Sequence, residues 1–86
     1  MHTVELLDQA LSVAQRMGYG VRQEWLGGAG GGACEFAGRK WLFVDLSLNV
    51  IEQLEQVRKA LLADPGIYTV DLSPALRQLL DLRRSA

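Results

Sequence analysis

Apolar residues near the N-terminus recur at helical spacing. Val4, Leu7, Leu11 and Ala14 form one row, and Leu6, Ala10, Val13 and Met17 an adjoining one. Together they predict a helix with a broad buried face from residue 3 to about residue 17. Thr3 is placed to cap it, with Glu5 and Asp8 near its positive end. Gly18-Tyr19-Gly20 stops it, because Gly18 takes a left-handed cap conformation readily. The period then falls to two. Val21-Arg22-Gln23-Glu24-Trp25 alternates and predicts a strand with Val21 and Trp25 inward. Ala33-Cys34-Glu35-Phe36 and Lys40-Trp41-Leu42-Phe43-Val44-Asp45, joined by a tight turn at Ala37-Gly38-Arg39, predict a β-hairpin. Its second arm is apolar on both faces, so it is expected at the centre of the sheet with helices on at least one side.

A second helical stripe follows at Val50, Leu54, Val57 and Leu61, facing the apolar strand. Asn49 with Glu52 three residues later reads as a capping box, and Glu55 and Lys59 stand one turn apart on the outer face. Asp64-Pro65-Gly66 ends this helix near residue 62, and Ile67-Tyr68-Thr69-Val70 reads as a short extended segment. Ser73-Pro74 opens a last helix that carries Leu76, Leu79 and Leu80, with Arg83-Arg84 near its negative end. The expected fold class is α+β: about three helices packed on a small, largely antiparallel three-stranded sheet, in one domain.

Composition narrows the function classes. The chain has 86 residues, of which 49% are hydrophobic, and a net charge of −1. Roughly 60–65% of the unfolded surface is buried at this length, so the core is modest and apolar surface is left for a partner. Charges of both signs are interspersed, without the basic patch of a nucleic-acid binder. A single cysteine, Cys34, excludes an intramolecular disulfide and suits a cytoplasmic setting. No signal peptide is expected, and no apolar run approaches the ~18–20 residues that span a bilayer.

Five of the nine glycines fall between Gly27 and Gly32. Such a run makes a mobile flap, a set of positive-φ turns, or a place where a backbone or ligand approaches closely. Gly28 to Ala33 fits a loose G-x-G-x-x-A pattern, but a dinucleotide fingerprint needs a helix directly after it, and here a strand follows. A Walker loop needs Gly-Lys-Ser/Thr, and no lysine precedes Lys40. A strand connection is the plainer reading. The alternative is a small-ligand site built from Gly28, Gly30, Gly31, Gly32 and Cys34.

Other candidates have plain readings too. A nucleophilic thiol needs a base, and the sole histidine is His2, so Cys34 is expected to be a buried, inert strand residue. Glu24, Glu35 and Asp45 lie on different strands and show no metal-ligand spacing, so neither metal nor cofactor is expected. Asp45, just before Ser47, is placed to shape the approach to the next helix. Trp25 and Trp41 suit a core or a partner interface. The face at Leu76, Leu79 and Leu80 suits either the sheet or a second chain.

Met17-Gly18-Tyr19-Gly20-Val21-Arg22, then Gly38-Arg39-Lys40-Trp41-Leu42-Phe43-Val44-Asp45, then Leu46-Ser47 leading into Glu52-Gln53, together resemble the first part of ImmA/IrrE-type metallopeptidase domains. The resemblance implies a zinc-binding H-E-x-x-H on the helix after the hairpin. Val57-Arg58-Lys59-Ala60-Leu61 stands there, with Val57 and Leu61 at the ligand positions, so no catalytic residue carries over and a degenerate, metal-free relative is implied. The chain also resembles short bacterial proteins with a glycine run, a cysteine and a hairpin, which imply no activity. The function expected is therefore a non-catalytic interaction or regulatory module. It would form a homodimer through Trp25, Leu76, Leu79 and Leu80, and take no nucleic acid or membrane as partner. A small-ligand binder is the alternative. An enzyme using Cys34 or acidic residues ranks third.

Overall fold

The computed structural model describes residues 2–28 and 30–81. It is an α+β arrangement of α1 (Thr3–Arg16), β1 (Gly20–Glu24), β2 (Gly32–Phe36), β3 (Arg39–Asp45), α2 (Val50–Leu62), a 3-10 turn (Pro65–Thr69) and α3 (Pro74–Leu80). The strands form one sheet in the order β1-β3-β2. β2 and β3 are antiparallel, with Cys34 opposite Trp41, and β1 runs parallel to β3, with Gly20 beside Trp41 and Glu24 beside Asp45. The apolar strand is therefore central, as its two apolar faces imply.

One side of the sheet carries the core. Leu42 and Val44 point to it and meet Leu7, Ala10, Val13 and Ala14 of α1 and Leu54, Val57 and Leu61 of α2. The narrowest extent of the backbone, 18 Å, leaves room for one sheet and one helical layer, since packed layers stand ~10 Å apart. α3 closes the helical layer against α1 and α2. Leu76 and Leu80 are each only 2% exposed, so they belong to the chain's own core and are not available as a surface. Leu79 is partly buried against it. Two side-chain bonds hold α3 in place. Arg58 Nε donates to the Leu79 carbonyl at 3.1 Å, and Ser73 Oγ donates to Gln9 Oε1 at 2.8 Å.

Local chemistry explains most boundaries. The capping box at α2 is complete: Glu52 N–H donates to Asn49 Oδ1 at 2.8 Å, and Asn49 N–H to Glu52 Oε1 at 3.1 Å. Other expectations are corrected. His2, not Thr3, is the N-cap of α1, without a side-chain bond, and Val4 lies on the exposed side. Glu55 pairs with Arg58 at 3.1 Å rather than with Lys59. Residues 67–69 are helical rather than extended, because Asp64 Oδ1 accepts the Gly66 N–H at 2.8 Å and Pro65 presets the first φ. Arg83 and Arg84 lie outside the described residues.

The β2–β3 turn puts Ala37 at φ 53° and Gly38 at φ 76°, the paired positive φ of a type I′ hairpin turn. Alanine is strained there and asparagine is not. Ala37→Asn is expected to raise stability by about 0.5–1 kcal/mol, read as a higher urea midpoint; an unchanged or lower midpoint counts against the turn assignment. Leu54→Ala is expected to lower stability by about 2–5 kcal/mol. An unchanged midpoint would contradict the placement of Leu54 and Val57 in the core.

Candidate interaction surface

The side of the sheet away from the helices has no cover among the described residues. Alternation along the strands places Arg22 of β1, Trp41 and Phe43 of β3, and Cys34 and Phe36 of β2 there. These five line a shallow concavity of about 300 Å³. Trp41 lies across β1: a Cβ on Gly20 would stand 2.7 Å from its ring, so only glycine lets the indole lie flat there. The Trp41 and Phe43 ring centroids are 6.4 Å apart. The Arg39 guanidinium sits 4.7 Å over the Trp41 ring, a cation–π distance. Arg22 pairs with Glu24 at 3.0 Å. Phe36 is 73% exposed, although a phenylalanine on a strand ordinarily buries its ring.

Both ends of β3 are held by a carboxylate. Asp45, at the C-terminal end, has no exposed surface. It accepts Leu26 N–H at 2.9 Å, Gly28 N–H at 2.6 Å, Ser47 N–H at 2.9 Å and Ser47 Oγ–H at 2.6 Å. The Ser47 hydroxyl, then the backbone donors, hold its pKa down at about 2 against the opposing effect of burial. At the N-terminal end, Asp64 accepts Gly66 N–H, the Tyr19 hydroxyl at 2.7 Å and Lys40 Nζ at 3.1 Å. These donors, Gly66 first, bring its pKa to about 2. Burial and the Asp64 charge push Tyr19 up to about 12.

The glycine run is a crossing. β1 and β3 end on the same side, and β2 begins there on the far edge, so the connection from β1 to β2 passes over the end of β3. Asp45 takes the Gly28 N–H, and Gln56 Nε2 donates to the Gly30 carbonyl at 3.2 Å while Gln56 Oε1 accepts Asp45 N–H at 3.0 Å. Gly31 lies directly under the Gln56 amide, which would have to shift to admit a Cβ, and its φ of 112° is one that L side chains rarely adopt. Within the run, the Gly28 N–H and the Gly30 carbonyl are thus bonded to the chain's own side chains. Gly31 and Gly32 border a second concavity of about 480 Å³, between β2 and Gln56, Lys59, Ala60 and Ala63 of α2.

The remaining candidates are dispersed. Trp25 is not inward: β1 ends at Glu24, and Trp25 is 76% exposed, because the chain turns off toward Asp45 at Leu26. Cys34 is exposed rather than buried, since no described helix covers its side of the sheet, and its thiol has no hydrogen-bond partner among the described residues. Among the described residues no group of three or more His, Cys, Asp or Glu comes together as a metal site, and no helix is long and apolar enough to cross a membrane. Val57 and Leu61, at the positions of the zinc ligands in the metallopeptidase resemblance, have no exposed surface. Asp45 is the residue whose role sequence reasoning understated; the signal was Asp-x-Ser at the end of an apolar strand, a common local capping pattern. No family model, curated protein or solved structure matches the chain.

The two carboxylates set the acid limit of the fold. Their native pKa values lie below the ordinary 3.8. Their contribution is therefore full above that value and is lost as pH falls toward about 2. Stability measured by urea unfolding is expected to fall across that window. In Asp45→Asn the fall is shallower, from a lower neutral-pH starting point, because an amide presents one acceptor oxygen to the same donors. An Asp45→Asn variant with wild-type stability at pH 7 would contradict this account of the crossing.

Proposed function

We propose that the chain is a non-catalytic interaction module that associates with a second copy of itself through its sheet. The observation that carries the reading is the one-sided sheet, with Phe36, Trp41 and Phe43 turned away from every helix. Aromatic residues and arginine are enriched where proteins meet, and Arg22 and Arg39 accompany the rings. What speaks against catalysis is chemical. Among the described residues the exposed thiol of Cys34 has no hydrogen-bonded base, and the two carboxylates with lowered pKa are occupied by their own donors.

The size of the face sets the strength. Three strands ~4.8 Å apart and five residues long at ~3.3 Å each present roughly 250 Å² in projection, against ~800 Å² per partner in a standard interface. The face alone is therefore a weak contact, and association in the micromolar range is expected. The second reading is a small-ligand site. The concavity lined by Trp41, Phe43, Phe36, Cys34 and Arg22 favours it, since a flat apolar compound with an anionic group would meet rings and a guanidinium there. A saturable rise in melting temperature with such a compound would favour that reading.

Light scattering across a size-exclusion peak separates the two. At tens of micromolar, the mass is expected to be twice the 9.5 kDa of the chain. A monomer mass up to roughly a hundred micromolar, far above a micromolar Kd, would overturn self-association.

A further inference from the structure

Among the described residues the outer edge of β2 is open, and its sequence is complementary to itself. The turn at Ala37-Gly38 makes Phe36 and Arg39 the hydrogen-bonded pair that flanks it. Pairs alternate along an antiparallel ladder, so Cys34 and Gly32 also bond inward to β3. Ala33 and Glu35 therefore direct N–H and C=O away from the sheet. The strand has no proline, and its register runs without a bulge from Gly32 to Phe36. Natural edges are usually blocked by such devices.

Resting on the self-association reading above, the geometry points to antiparallel pairing of β2 with β2 of a second copy, about a two-fold axis at Cys34. This makes one continuous sheet of both three-stranded sheets. Ala33 then faces Glu35 of the other copy, and every outward N–H and C=O of these two residues is paired. An axis at Glu35 would set the two glutamates opposite each other. An axis at Ala33 would pair Glu35 with Gly31, which lies outside β2.

Three side-chain features fit the register at Cys34. Ala33 and Glu35 share the helix side of the sheet, where the 480 Å³ concavity beside Ala33 is lined by Lys59. Glu35 of one copy, opposite Ala33 of the other, is directed to that Lys59. Neither residue has an ion-pair partner of its own among the described residues. Phe36, 73% exposed, comes opposite Gly32 of the second copy, repeating the ring-over-glycine contact of Trp41 on Gly20. The two Cys34 residues become a non-hydrogen-bonded pair about 4.5 Å apart at Cα, inside the roughly 4.4–6.8 Å range of a disulfide.

The experiment uses the full chain at ~50 µM, above a micromolar Kd. Diamide, which takes up the two protons and two electrons released, is expected to link Cys34 to Cys34 with a rate that saturates as the dimer fills. Ala33→Pro removes one outward N–H at an edge position where proline is tolerated; it is expected to keep its circular dichroism and become monomeric. Glu35→Lys is expected to weaken dimerisation roughly tenfold, and Glu35→Lys with Lys59→Glu to restore it. A dimer that survives Ala33→Pro and Glu35→Lys and does not cross-link at Cys34 would overturn this pairing while leaving self-association intact. A monomer at every concentration would overturn both. Should Ala33→Pro unfold, the charge-swap pair decides alone: failure of the double variant to recover the dimer overturns the pairing.

Discussion

Because β1 and β3 run parallel while β2 takes the opposite edge, the chain has to cross the C-terminal end of its own central strand. The carboxylate of Asp45 sits under that crossing. It gathers two amides of the connection and both donors of Ser47, and so joins the end of β1, the glycine run, the end of β3 and the approach to α2. A buried carboxylate without such donors would be strongly destabilising. With them it is an ionised anchor that fixes the path of the loop. Gln56 completes the arrangement by bonding β3 on one side and Gly30 on the other. The glycines follow from this constraint. The backbone passes close under the Gln56 amide at positive φ, a conformation in which a side chain at Gly31 would be strained.

The same crossing explains why the sheet is one-sided. α1 and α2 both pack on the side where Leu42 and Val44 point, and among the described residues no element covers the other side. What remains there is a row of rings, two arginines, one thiol and an edge strand with outward-facing amides. A monomer would leave all of these wet. A second copy paired at β2, as proposed above, would satisfy the amides and bring its Gly32 against Phe36.

Where a residue's environment is set by its own neighbours in sequence, the chain was readable. The stripe Val50, Leu54, Val57, Leu61, the capping box at Asn49, the hairpin turn and the central place of the apolar strand all follow from local spacing. Where the environment is set by which side of the sheet goes uncovered, it was not. Alternation groups Cys34 with Phe36 and Trp41 but does not tell which face is bare, so Cys34 reads as buried and stands exposed. Trp25 continues the period of β1 on paper, yet the strand stops one residue earlier to reach Asp45. Leu76 and Leu80 read as core or as contact surface until α3 is seen against α1 and α2. Among the proposed ligand-binding glycines, Gly28, Gly30 and Gly31 turn out to be engaged by Asp45 and Gln56, partners distant in sequence.

The central claim is that the outward amides of β2 find their partners in a second copy of the chain. Hydrogen exchange at the Ala33 and Glu35 amides, read residue by residue at two protein concentrations, tests it directly. The account predicts slow exchange at roughly a hundred micromolar and fast exchange at concentrations below a micromolar Kd, with the core amides of Leu42 and Val44 unchanged between the two. Fast exchange at Ala33 and Glu35 at both concentrations would contradict it.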